Sequence, residues 1–217
     1  MARETLTRGR VLRAALELVD TEGVARLSMR RLGTAVGVEA MSLYNHVSGK
    51  RDVLDGVAAL VFEEIALPDP ALPWPDRLRT LAHGAQASFL AHPVVVGLLA
   101  GGQADPRSRG ALRFIDAVLG SLLDAGLDDR AAARYYRSLL GLLFGSALAR
   151  TADVAESPDV SGDSIADWFR DTAAAENLPH LSRVLPALID ADCYPDFGHE
   201  IEIFVAGVRA MAALPRS

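Results

Sequence analysis

The chain has 217 residues, half of them hydrophobic and 23% charged, enough to bury a sizeable core across one small and one larger domain. Its single cysteine, Cys193, excludes an intramolecular disulfide framework and fits a reducing compartment, and no uninterrupted apolar run reaches the ~18 residues of a membrane span. The formal charge of −6 excludes a uniformly basic binder of nucleic acid, yet it is unevenly spread, with +2 on residues 1–60 and −8 on the remaining 157. Because affinity for phosphate depends on local contacts and not on total charge, the positive end stays open to such a role. The charged opening MARETLTRGR has no apolar signal-peptide core, so a soluble cytoplasmic protein is expected.

From Thr7, a residue suited to N-capping, TRGRVLRAALELVDTEG places Val11, Leu12, Ala15, Leu16 and Val19 at helical spacing and stops at Gly23. Ser28 is placed to cap a short helix whose inward face is Leu27, Leu32, Ala35 and Val36, and Gly37 breaks it. Leu43 and Val47 predict the inward face of a second short helix, leaving Ala40, Met41, Ser42, Tyr44, Asn45 and His46 facing out. That outward set mixes small, hydrogen-bonding and aromatic side chains without a run of charge, which suits base-edge contacts in the major groove. Arg30 and Arg31 fall in the first turn of the first helix, and Lys50 and Arg51 open a further helix predicted from Lys50 to Ile65. Cations at helix N-termini are locally unfavourable and make more sense with a phosphate nearby. The pattern is that of a helix-turn-helix, with double-stranded DNA as the expected partner.

Beyond residue 66, PDPALPWPD is a proline-rich joint. RLRTLAHGAQASFLAHP, PRSRGALRFIDAVLGSLLDAGL, DDRAAARYYRSLLGLLFGSALART and HEIEIFVAGVRAMAAL then carry apolar residues at spacings of three and four. DSIADWFRDTAAA and HLSRVLPALID read as shorter helices, DVAESPDVSGDS as a mobile acidic loop, and Gly101-Gly102 as a turn. No stretch alternates like a half-buried strand, so an all-α fold is expected. The segment 131–149 carries Tyr135, Leu139, Leu142, Leu143, Phe144 and Leu148, interleaved with small Ser138, Gly141, Gly145 and Ala147. The segment 199–214 adds Ile201, Phe204, Val205, Val208, Met211 and Ala212. These are either core helices of a monomer or the pairing surface of a homodimer, which would set two recognition helices about 34–36 Å apart on a pseudo-palindrome.

The run LSMRRLGTAVGVEAMSLYNHVSGKRDVL, with Leu43-Tyr44-Asn45-His46-Val47 followed by Lys50-Arg51, resembles the DNA-binding domain of TetR-family transcriptional regulators over roughly residues 7–60. With Trp74 opening the next segment, it looks most like the tetracycline-repressor branch. The resemblance implies that Arg30, Ala40, Met41, Ser42, Tyr44, Asn45, His46 and Lys50 contact DNA, Tyr44 and His46 toward phosphates and the start of the short helix toward bases. Arg31 joins them as a backbone-positioning cation. Ala40 and Met41 depart from the polar or proline residues of some relatives, so an operator sequence does not carry over. The resemblance also implies a homodimer through segments 131–149 and 199–214, and a repressor that a small organic effector releases. The chain then divides into a helix-turn-helix domain at 1–50, a connecting helix at 51–66, and a helical effector-binding and dimerisation domain at 67–217.

Within the last of these, His83, Gln86, His92, Gln103, Arg113, Tyr135 and Tyr136 are candidate polar anchors of a mainly apolar pocket, or else surface and satisfied core groups. His83 and His92 are nine residues apart, His180 is isolated, and His199 and Glu200 point to different sides of a helix, so no zinc-type ligand set arises and no metal or cofactor is expected. Tetracycline repressors bind their drug with a magnesium ion, and the His and Glu residues needed for it have no match here, which argues against tetracycline itself. Cys193 lacks a basic neighbour that would activate it. Two competing readings remain: a helical DNA-binding protein without a ligand, and a small helical enzyme.

Overall fold

The computed structural model describes residues 5–105, 107–152, 162–189 and 196–214; Cys193 and most of the expected acidic loop, at 153–161, lie outside them. All regular structure in the described residues is helical. The first unit comprises α1 (Arg8–Glu22), a 3-10 turn (Val24–Arg26), α2 (Met29–Val36), α3 (Ala40–Leu43) and α4 (Lys50–Glu63). The second comprises α5 (Trp74–Ala91), α6 (Pro93–Ala100), α7 (Arg109–Asp124), α8 (Asp129–Ala152), α9 (Gly162–Ala175), α10 (Pro179–Leu188) and α11 (Phe197–Ala212). Thr7 caps α1 as expected, its hydroxyl accepting from Arg10 N at 3.2 Å.

Sequence periodicity does not predict α6. Val95, Val96 and Leu98 are buried, and Val94 and Leu99 pack half-buried against the same core, so no polar face reveals the helical period. Pro93 occupies its first turn, where a missing N–H costs nothing.

The helix α4 packs on both units. Against α1 the approach is close: a Cβ on Gly56 would lie 2.5 Å from Leu12 Cδ2. At its C-terminal end Phe62 meets Phe89 of α5 and Phe114 of α7, with ring centroids 5.7 and 5.8 Å away, and Phe89 meets Phe144 of α8 at 5.5 Å. One continuous core therefore runs from Val11 to Val208.

The segments expected to pair with a second copy prove two-sided. Leu139, Leu143, Ile201, Val205 and Val208 are buried within the subunit, because the larger apolar residues of α8 and α11 cover its own core. The outward stripes are Ser138, Gly141, Gly145 and Leu148 on α8, and Ile203, Ala206, Ala210 and Met211 on α11.

Phe89 is fully buried at the meeting of α4, α5 and α8. Phe89→Ala is expected to lower stability by about 3–5 kcal/mol in equilibrium denaturation, and Phe89→Leu by clearly less, since it leaves a smaller void.

Candidate nucleic-acid interface

Ser28 caps α2, its hydroxyl accepting from Arg31 N at 3.2 Å, and the helix ends at Gly37 in the left-handed region (φ 74°). Gly33 lets α3 cross tightly, since a Cβ there would lie 2.9 Å from Val38 O and 3.1 Å from Ala40 N. Gly33 is buried and Ala35 exposed, the reverse of the inward face expected for Ala35, because the crossing leaves no room for a side chain at the contact. The second helix is also shorter than expected. It spans four residues, and Tyr44, Asn45 and His46 follow it in a tight turn closed by His46 N donating to Leu43 O at 2.8 Å and Val47 N to the same oxygen at 3.0 Å.

So short a helix is held by its neighbours rather than by its own hydrogen bonds. Leu43 and Val47 anchor it from beneath, at 0% and 2% exposure, while Met41 is 74% exposed and Tyr44 48%. Ala40, Ser42 and His46 are half-buried beside them, and Arg30, Arg31, Asn45 and Lys50 are exposed.

Arg8, which sequence reasoning missed, holds this tip in place. Its guanidinium donates to His46 O at 2.9 Å and forks onto Asp52 of α4 at 2.6 and 3.0 Å. Asp52 also accepts from Ser48 N at 2.8 Å. The Arg8 guanidinium and the Ser48 amide bring the Asp52 carboxyl down to about 2, against the opposing effect of partial burial. The legible signal was an acidic residue in the first turn of α4, four positions after Ser48; its partner 44 residues earlier was not legible. Arg10 donates to Val36 O at 3.3 Å, bringing a cation to the C-terminus of α2. Arg31 is paired with Glu22, and Lys50 Nζ donates to Val24 O at 3.2 Å, so both brace the unit from inside. Arg30 is exposed and has no ion pair among the described residues.

A braced pair of short helices with an exposed, mixed tip has the form of a helix-turn-helix reader. The sequence matches the tetR family of bacterial regulatory proteins over residues 11–57, and the tetracyclin repressor-like C-terminal domain over residues 67–212. The chain belongs to the TetR family. An HTH-type transcriptional regulator of Saccharopolyspora erythraea is 32% identical over 96% of this chain and 87% of its own length. HTH-type transcriptional repressor DrrR1 of Streptomyces coeruleorubidus is 30% identical over 90% of this chain and 73% of its own. Among solved structures, Streptomyces coelicolor ActR in complex with actinorhodin superposes with a TM-score of 0.83 at 26% identity, covering 97% of this chain and 100% of that one.

In this TetR-family chain four of the seven candidate effector anchors, His83, Gln86, His92 and Tyr135, are drawn to separate partners. The His83 ring packs edge-on against Phe197 at 5.4 Å. Gln86 is buried, donating from Nε2 to Ser146 Oγ at 3.0 Å, with Oε1 left unpartnered. His92 lies between Asp20 and Glu64. Gln103 is exposed after α6, and Arg113 lines a groove of about 180 Å³ with Phe62, Leu67 and Arg109. The Tyr135 hydroxyl reaches Gly207 O at 3.3 Å, and Tyr136 is half-buried, with burial pushing its hydroxyl above the usual tyrosine value.

Asp52 supplies a pH signature. Its carboxyl sits lower in the folded chain than in the unfolded one, so its contribution is present above the ordinary aspartate value of about 4 and disappears as pH falls toward about 2. The melting temperature of native protein is expected to exceed that of Asp52→Asn at neutral pH, by the equivalent of no more than ~1 kcal/mol for a part-exposed pair, with the gap closing below about pH 4. A gap that widened on acidification would contradict the assignment.

Proposed function

We propose that the chain is a homodimeric repressor that reads a pseudo-palindromic operator through Arg30, Arg31, Ala40, Met41, Ser42, Tyr44, Asn45, His46 and Lys50. The observation that carries the reading is the tip itself, a four-residue helix with exposed Met41 and Tyr44, seated on buried Leu43 and tied through His46 O to Arg8. Ala40, Met41 and Ser42 face bases, and Arg30, which has no ion pair among the described residues, supplies a cation for phosphate. The division into a reader at 1–50, a connecting helix at 51–66 and an effector and dimer domain at 67–217 fits α4 as the shared element. DrrR1 is a repressor by name, and ActR was solved with actinorhodin bound, which supports release of this chain by a small organic molecule. The buried, unpartnered Oε1 of Gln86 suits a hydrogen-bond donor on such a molecule.

Selection of a random duplex library on the purified chain is expected to enrich a pseudo-palindrome that Tyr44→Ala fails to recover. Arg30→Ala should keep the consensus and lower the salt slope by about one. Enrichment of nothing would sink the reading.

The outward stripes of α8 and α11 support the dimer. A Cβ on Gly141 or Gly145 meets nothing within 4 Å, leaving room for a second helix to approach. Gly145→Glu is expected to sediment as a monomer with native helix content and to lose the pseudo-palindrome; a dimer retained at micromolar concentration would place the interface elsewhere.

A further inference from the structure

His92 occupies the corner where α5 ends and α6 begins. Its Nδ1 lies 2.7 Å from Asp20 Oδ2 on α1, and its Nε2 lies 3.2 Å from Glu64 Oε2 just after α4. One imidazole thus joins the DNA-reading unit, the connecting helix and the second unit, across 72 residues of sequence to Asp20 and 28 to Glu64. The ring and Asp20 are well shielded, at 16% and 23% side-chain exposure, and Glu64 is half exposed. The Ser88 hydroxyl, 3.4 Å from the same Glu64 oxygen, donates to Val61 O at 2.8 Å. Among the described residues neither carboxylate is ion-paired to a lysine or arginine, and Asp20 Oδ1 is buried with no partner.

Two ionised carboxylates offer only acceptors. A neutral imidazole has one N–H and one lone pair, so it satisfies one of them and sets its lone pair against the other; the imidazolium donates to both. We propose that protonated His92 is an interdomain clasp, a positioning residue that holds α1 and the end of α4 to the α5–α6 corner and lets go when the ring loses its proton. The charged groups facing it are Asp20 from α1 and Glu64 from α4, both negative, so the clasp is closed while the ring is charged and the carboxylates are ionised. It opens as pH rises through the deprotonation of the ring. His92 is then a structural link between the units and not an effector ligand. Its bearing on operator binding rests on the function proposed above; the clasp itself does not.

Hydrogen–deuterium exchange on the full chain tests it, corrected for the intrinsic pH dependence of exchange and run from about pH 5.5 to 8.5. In native protein, amides of Val19–Glu22 and of the last turn of α4 are expected to exchange about five- to tenfold faster at the upper end, as a part-shielded charge-assisted hydrogen bond is lost. His92→Gln and Asp20→Asn should exchange at the faster rate throughout and show no step, while amides around Leu139–Leu143 in α8 match native protein. A step that survives in His92→Gln, or native protein without one, overturns the clasp. If His92→Gln perturbs α8 as well, Asp20→Asn decides alone. Affinity for the selected duplex is measured on the same samples, so failure to recover any DNA refutes the proposed function while exchange still decides the clasp.

Discussion

Burial of α4 along its length, from Val53 and Leu54 through Val57 and Ala58 to Val61 and Phe62, ties the DNA-reading unit and the helical domain behind it into one hydrophobic core. Gly56 meets Leu12 at mid-helix, and Phe62 meets Phe89 and Phe114 at the C-terminal end. Interiors packed at crystal-like density shift as bodies and do not absorb small displacements. A rearrangement among α5, α7 and α8 must therefore repack Phe62 of α4, the helix whose Gly56 lies against Leu12 of α1. A ligand acts through this path only as far as it binds the two arrangements with different affinity.

The charges of the first unit divide into those that build the reader and those left for a partner. Arg8, Arg10, Arg31 and Lys50 are each engaged within the unit, on Asp52 and His46 O, on Val36 O, on Glu22 and on Val24 O. The cations of residues 1–60 are thus largely engaged within the unit, and one of them, Arg8, holds the segment that follows a four-residue helix with no stability of its own. Arg30, Met41 and Tyr44 remain outward. Arg8 holds the tip through His46 O and Asp52 and has no place among the proposed DNA contacts, whereas Arg31 and Lys50 brace the unit and remain exposed.

Much of the fold was legible because its signals are local. Thr7 and Ser28 cap the helices they precede, Gly37 ends α2, and the apolar spacing of Val11, Leu12, Ala15, Leu16 and Val19 is the buried face of α1. Legibility failed where the period carries no contrast. The segment α6 is covered on most faces, and α8 and α11 are apolar on two sides, so which side meets the subunit's own core does not follow from spacing. The length of α3 was overestimated for a related reason: Leu43 and Val47 are spaced like helix neighbours, and a turn can bury both.

The sequence by itself determined the all-helical class, the helix-turn-helix with its outward Met41 and Tyr44, and the charge asymmetry, since caps, breaks and periodicity act within a few residues of one another. Only the tertiary structure decided that Arg8 grips Asp52 and His46 O, that Gly33 rather than Ala35 faces the crossing, that four phenylalanines from α4, α5, α7 and α8 meet, and that His92 is taken up by Asp20 and Glu64. Each of these except the Gly33 crossing joins positions tens of residues apart, and no local periodicity records a partner at that separation. At Gly33 the reason is the angle between two helices, which spacing along either one does not specify.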